Sequence, residues 1–107
     1  MTTLAERQKR VGLNLPLNVA GQDAAGHHFA EATRTVNISG GGVCFESHQN
    51  LLVGSRLSLH IELPDNLRKH FGGKAIYRAR AAVCRVERFE GDARCRIGAR
   101  FLGEIEA

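Results

Sequence analysis

The sequence predicts an all-β protein, namely a small six-stranded antiparallel β-barrel preceded by a flexible basic tail. Apolar and polar residues alternate in several separate stretches, which is the pattern of half-buried strands. No segment with a helical period is long enough to connect parallel strands, so the strands are expected to be antiparallel. Six strands in about 90 residues favour a closed or nearly closed barrel, because closure removes the edges that an open sheet would leave exposed. We assign residues 1–12 to the tail and residues 13–104 to the barrel.

The first two strands are separated by a glycine-bounded loop. The first is indicated by the alternation of Leu13, Leu15, Leu17 and Val19 with less apolar neighbours. Pro16 cannot donate to a strand ladder, so it predicts an edge or a bulge at that point. Residues 21–26 read as the loop, and residues 27–37 as the second strand.

Four further strands and one helical turn complete the prediction. Residues 43–47 and 57–63 form the third and fourth strands, and the fourth has the clearest alternation in the chain. Residues 66–71 are expected to make one helical turn, with Asp65 as its cap. Residues 75–88 and a strand beginning near residue 95 form the closing hairpin, with Glu90-Gly91-Asp92 as its turn.

The closing hairpin carries a large share of the positive charge. Seven arginines stand against three acidic residues between positions 78 and 100, an excess equal to the net charge of +4 of the whole chain. Cysteine and apolar residues alternate with these arginines, so most of the positive field is expected on one hairpin face. The residues expected on the apolar faces are Ala82, Cys84 and Val86 in one strand, and Cys95, Ile97, Ala99 and Phe101 in the other.

Composition narrows the class of partner and the compartment. The pI near 9.4 favours an anionic partner, while aromatic residues are only 6% of the chain, too few for a base-stacking platform. Cys44, Cys84 and Cys95 form no C-x-x-C pair, so we expect small buried hydrophobes in a reducing compartment. The polar N-terminus lacks a secretory signal and no run has the length of a membrane helix, which predicts a cytoplasmic protein.

The stretch Thr35–Phe45 organises the rest of the chain. Three consecutive glycines, Gly40 to Gly42, lie between apolar strand residues, so the backbone here can take a positive φ or admit a ligand. A plain tight turn is the alternative. Asn37 and Ser39 precede the glycines, and each carries a short side chain that can bond a neighbouring backbone group or a ligand.

The spacing Asn37-x-Ser39-x-x-Gly42 resembles the (D/N)xSxxG signature of the PilZ domain family. The resemblance extends along nearly the whole chain, from the basic tail and the alternating strand through the signature to Ile97–Phe101, I-G-A-R-F. It implies a small six-stranded β-barrel that binds the bacterial second messenger cyclic di-GMP. In this family the tail usually carries RxxxR directly before the first strand. Arg10 matches the last arginine of that motif, but Glu6 stands where the first is expected.

Arg7 and Lys9 are the nearest substitutes for the missing arginine, although lysine cannot reproduce a guanidinium fork. The resemblance thus implies that the tail and the strand edge bind the dinucleotide between them. Its candidate ligand-binding residues are Arg7, Lys9, Arg10, Asn37, Ser39, Gly41 and Gly42.

Two other functions stay open at this stage. The first is a PilZ-like adaptor that has lost the nucleotide and acts through protein contacts with an unknown downstream partner. The second is direct binding of nucleic acid by the arginine-rich hairpin, which has the weaker support because arginines on an exposed strand face are usually solvated. No catalytic motif, cofactor motif or metal-ligand spacing of histidines is present, so we expect neither an enzyme nor a metal site.

Overall fold

The computed structural model describes residues 12–105, which fold into one closed barrel of six antiparallel strands. Each strand pairs with both of its neighbours in the order β1-β2-β3-β6-β5-β4, and β4 closes the barrel against β1. The all-β barrel predicted from the alternation is therefore confirmed. The strands are β1 (Pro16–Gln22), β2 (His28–Ile38), β3 (Gly42–Ser47), β4 (Arg56–Glu62), β5 (Ile76–Arg88) and β6 (Cys95–Glu104).

The barrel interior is filled by the apolar half of each alternating strand. Phe45, Leu59, Ile61 and Ile97 have no exposed surface. Because side chains alternate between the two faces of a strand, their sequence neighbours point outward, and this explains why most charged residues lie on the outer wall.

One of two local expectations from the sequence is wrong. Pro16 is the first residue of β1 and pairs with Arg34 of β2, whereas the pairing of β1 with β4 begins only at Leu17, so Pro16 is unpaired on one side, as expected of an edge position. A strand start tolerates proline because few ladder bonds are required there. Asp65 is not the cap of the helical turn α1 (Asp65–Arg68), since Pro64 occupies that position. Asp65 instead forms an ion pair with Arg68 across that turn, at 2.7 Å.

A bulge in β5 changes which residues face the core. The register between β5 and β6 shifts between Val83 and Arg85, so Val83 is buried and Cys84 is exposed. The expectation that Cys84 lies on a buried face is therefore wrong. Cys44 and Cys95 are buried, as the sequence predicts.

Because neighbouring strands are antiparallel, successive connections between strands lie at alternate ends of the barrel. One end carries the N-terminal segment 12–15, the turn between β2 and β3, and α1 with the 3₁₀ turn Lys69–Phe71. The opposite end carries the other three loops. In the part of the chain that the structure describes, no helix has the length and apolar character needed to cross a membrane.

Candidate functional site

The N-terminal segment is held against β2 by one buried threonine. Thr35 has no exposed surface, and its hydroxyl accepts a hydrogen bond from the Leu15 amide at 2.9 Å and donates to the Leu13 carbonyl. The Thr35 amide donates to the Leu15 carbonyl at 2.9 Å, and the Asn14 side chain donates to the Thr35 carbonyl at 2.8 Å. The chain that leads from the tail is therefore attached beside β2.

A second bulge separates Thr35 from Asn37. Thr35 pairs with Phe45 and faces the interior, whereas Asn37 pairs with Cys44 after the register shift. Both neighbours of Cys44 in β3 belong to the core cluster and Cys44 does not, so Asn37 and Cys44 point away from the barrel interior, although Cys44 is only 2% exposed. Asn37 is half-buried there, two residues from the attachment point of the N-terminal segment.

Ser39 closes the turn between β2 and β3. Its amide donates to the Gly42 carbonyl at 2.9 Å, and its hydroxyl accepts from the Gly41 amide at 3.2 Å and lies 3.5 Å from the Gly42 carbonyl. Ser39 is 7% exposed. The Ser39 side chain thus has a structural role in the turn.

The three glycines do not use a positive φ. Glycines with positive φ occur elsewhere between residues 12 and 105, and Gly40, Gly41 and Gly42 are not among them. Gly42 is required for a different reason, because a Cβ there would lie 2.5 Å from the carbonyl oxygen of Ala99 in β6. A Cβ on Gly40 would meet nothing within 4 Å. Close packing of β3 on β6 therefore explains one glycine of the three.

Arg100 lies beside the predicted site residues, although the sequence prediction did not include it. It lies opposite Gly42 in the β3–β6 register, and the next residue, Phe101, donates its amide to the Gly41 carbonyl at 3.0 Å. Arg100 is exposed and forms no ion pair with any residue from 12 to 105. The alternation around Ile97–Phe101 predicts that Arg100 lies on the outer wall. Which residue of β3 lies beside Arg100 depends on the strand order, which the alternation does not show.

The positive field of the hairpin is divided rather than uniform. Arg94 and Arg96 both turn towards Glu46 of β3, with nitrogen–oxygen distances of 3.1 Å and 3.9 Å. They line a surface cleft of 370 Å³ together with Arg34 and the N-terminal residue Asn14. Part of the arginine charge is thus neutralised on the wall beside Asn37.

The sequence-predicted site residues divide into two sets. The structure brings Asn37, Ser39, Gly41 and Gly42 together at one end of β2 and β3. Arg7, Lys9 and Arg10 lie outside the described residues 12–105, as does the predicted flexible tail up to residue 11. Among residues 12–105, no three histidine, cysteine or acidic side chains come together as metal ligands.

These features define a small closed β-barrel domain with an N-terminal segment attached beside a polar turn. The sequence model of the PilZ domain family matches residues 5–107, and the chain therefore belongs to the PilZ domain family.

Solved structures share this fold. The chain is 18% identical to the Bacillus subtilis inhibitor of motility MotI/DgrA, with a TM-score of 0.67 over 90% of this chain and 42% of that protein. It is 16% identical to the PilZ domain of YcgR from Escherichia coli, solved with c-di-GMP, with a TM-score of 0.58 over 91% of this chain and 77% of that one.

A third similar structure is the PilZ domain of CeSA from a cellulose-synthesizing bacterium. It has a TM-score of 0.56 and 18% identity, over 88% of this chain and 80% of that one. No curated protein matches the chain. The chain spans less than half the length of the Bacillus protein.

Proposed function

We propose that this chain is a cyclic di-GMP receptor, in which an N-terminal arm of residues 1–12 and the edge of a barrel domain of residues 13–104 clasp the dinucleotide. The observation that carries the proposal is the attachment of residues 13–15 to Thr35. It fixes the start of the arm two residues from Asn37, on the strand that leads to Ser39 and the glycines.

Chain length limits how far the basic residues of the arm can lie from this edge. Arg10 is three residues from Leu13, so its Cα stays within about 11 Å of the Leu13 Cα. Arg7 and Lys9 belong to the same short stretch. An arginine side chain that starts within this radius can reach a ligand lying on Asn37 and the glycine turn.

The residue types suit both parts of the ligand. Arginine bonds a phosphate or the O6 and N7 atoms of guanine in bidentate fashion and also stacks on a base, so Arg10 and Arg100 supply forks from the two sides of the turn. Asn37 supplies an amide for a guanine edge. Gly40 and Gly41 expose backbone on which no side chain would block the approach of a ring.

Calorimetric titration with cyclic di-GMP tests the proposal. We expect Arg10→Ala and Arg100→Ala to weaken binding about tenfold to a hundredfold, because each removes a charge-assisted hydrogen bond. Ser39→Ala is expected to weaken it as well, with thermal unfolding as a check that the barrel persists. Arg56→Ala on β4 is the matched control, since it removes the same charge from the wall opposite β3.

Hydrogen exchange of residues 7–10 provides a second measurement. If the arm closes over the ligand, their amides should exchange more slowly when the dinucleotide is present. Equal exchange rates in both states, competition by GTP, or an affinity unaffected by Arg10→Ala and Ser39→Ala would each count against the receptor function.

Glu6 favours a second candidate function. It stands where the family motif has its first arginine, and its charge would repel a phosphate at close range. The alternative is an adaptor that acts through protein contacts without nucleotide. In that case titration gives no binding heat, and Glu6→Arg, which restores the motif, creates measurable affinity.

A further inference from the structure

Three arginines cluster on the outer wall of β4 and β5, away from the glycine turn. Arg56 pairs in register with Ala82, while Arg78 and Arg80 lie opposite His60 and Ser58. Each of the three has a buried core residue as its next neighbour along the strand, Leu57, Ala79 or Ala81, so their side chains point outward.

Like Arg34, Arg88 and Arg100, these three arginines form no ion pair with an acidic residue in the part of the chain described. Arg68, Arg85, Arg94 and Arg96 each form an ion pair with a nearby carboxylate. None of the arginines at positions 56, 78 and 80 does so with any residue between 12 and 105. Three arginines without an ion pair on two adjacent strands produce a positive field that attracts anionic groups.

An apolar depression lies between two of these arginines. A cleft of 210 Å³ is bordered by Arg56 and Arg80, and its lining includes Ala20, Leu57 and Leu102. Leu102 is 38% exposed, which is high for a leucine in a strand. The guanidinium of Arg80 extends over β6, with Nη2 3.9 Å from the place a Cβ on Gly103 would occupy. The wall therefore combines an aliphatic depression with cations on its rim.

We propose that this wall is the docking site for an acidic segment of a partner protein, in which an aliphatic side chain enters the cleft and flanking carboxylates bond Arg56 and Arg80. Arginine forks match carboxylates in bidentate geometry, and arginine beside apolar contacts is typical of protein interfaces.

A protein segment fits this wall better than a nucleic acid. The outward positions of β1, β4 and the first half of β5 contain no Phe or Tyr on which a base could stack. A phosphate backbone also has no aliphatic group to fill a cleft that includes Leu102. The inference does not depend on dinucleotide binding, because none of the residues that line the cleft belongs to the proposed dinucleotide site, although Leu102 lies two residues after Arg100 on β6.

Selection from a library of short random peptides tests the proposal, with the full chain as bait and no dinucleotide present. We expect the enriched peptides to share an aliphatic residue with Asp or Glu on both sides. In fluorescence anisotropy, Arg80→Ala or Arg56→Ala should weaken such a peptide about tenfold. Replacing Glu by Gln in the peptide should have a similar effect, and Leu102→Ser should weaken it without changing any charge.

Arg10→Ala is the matched control, since it removes one arginine from the proposed dinucleotide site and should leave peptide affinity within about twofold. Failure of one site therefore does not imply failure of the other. Peptides without acidic residues, or peptides insensitive to Arg56→Ala and Arg80→Ala, would overturn the docking site. It would also be overturned if a short duplex DNA displaced the peptide and depended on the same arginines, since that result assigns the wall to nucleic acid.

Discussion

A glycine can be required in the signature because a ligand approaches the backbone or because another strand packs against it. Replacing Gly42 by alanine distinguishes these two reasons. In the structure, a Cβ at this position would lie 2.5 Å from the Ala99 carbonyl oxygen and 3.4 Å from the Arg100 Cα. Both are backbone atoms of β6, so no side-chain rotation can relieve the contact. The strands β3 and β6 would have to separate by several tenths of an ångström.

The expected loss of stability follows from that contact. Overpacking of a well-packed site costs about 1–3 kcal/mol, and a weakened ladder hydrogen bond adds about 1 kcal/mol. The free energy of unfolding should therefore fall by about 2–4 kcal/mol. For a domain of this size each 1 kcal/mol shifts Tm by roughly 4–8 °C, so we expect a decrease of about 10–30 °C.

Gly40→Ala is the matched control in the same turn. Nothing lies within 4 Å of its Cβ position, and its φ is not in the left-handed region. Alanine at such a site stabilises by up to about 1 kcal/mol because it restricts the unfolded chain. Thermal and urea unfolding followed by far-ultraviolet circular dichroism measures both variants. Equal melting temperatures of the two alanine variants would refute the assignment of Gly42 to strand packing.

The remaining predictions concern Thr35 and the cysteines. Thr35→Val leaves the buried Leu15 amide without its hydroxyl acceptor, so it should lower the free energy of unfolding by about 1–3 kcal/mol, as measured by urea unfolding. The same change should weaken cyclic di-GMP binding, as measured by calorimetry. Alkylation of the native chain should modify Cys84 quickly, whereas Cys44 and Cys95 should react only on unfolding. Burial protects these two cysteines, and it also raises the pKa of the Cys95 thiol. Mass spectrometry of the digested chain measures the rates.

Each of these predictions has its own control. Thr33→Val removes a hydroxyl that donates to the Glu46 carbonyl in a half-exposed position, and it should cost less than Thr35→Val. Cys84→Ser should abolish the rapid phase of alkylation. A native Cys95 thiol that reacts as fast as Cys84 would contradict the burial, and unchanged stability of Thr35→Val would contradict the anchoring role.

The elements that depend on local periodicity could be predicted from the sequence. Leu57, Leu59 and Ile61 follow a period of two, and such a pattern buries one strand face wherever the strand pairs. Where several apolar residues follow one another, the alternation no longer shows which of them face the core. Ala81 to Cys84 is such a run, so the sequence contains no signal for the bulge that exposes Cys84. The bulge is decided by pairing with β6, a contact remote in sequence.

The amino-acid sequence by itself determined the strand periodicity, the positive charge and the Asn37-x-Ser39-x-x-Gly42 signature, because each depends on residues close together in the chain. Only the tertiary structure decided that Gly42 packs on Ala99, that Arg100 lies beside the signature and that Thr35 holds the N-terminal segment. The physical reason is that barrel closure joins strands distant in sequence, and the residues it makes neighbours are set by register rather than by local propensity.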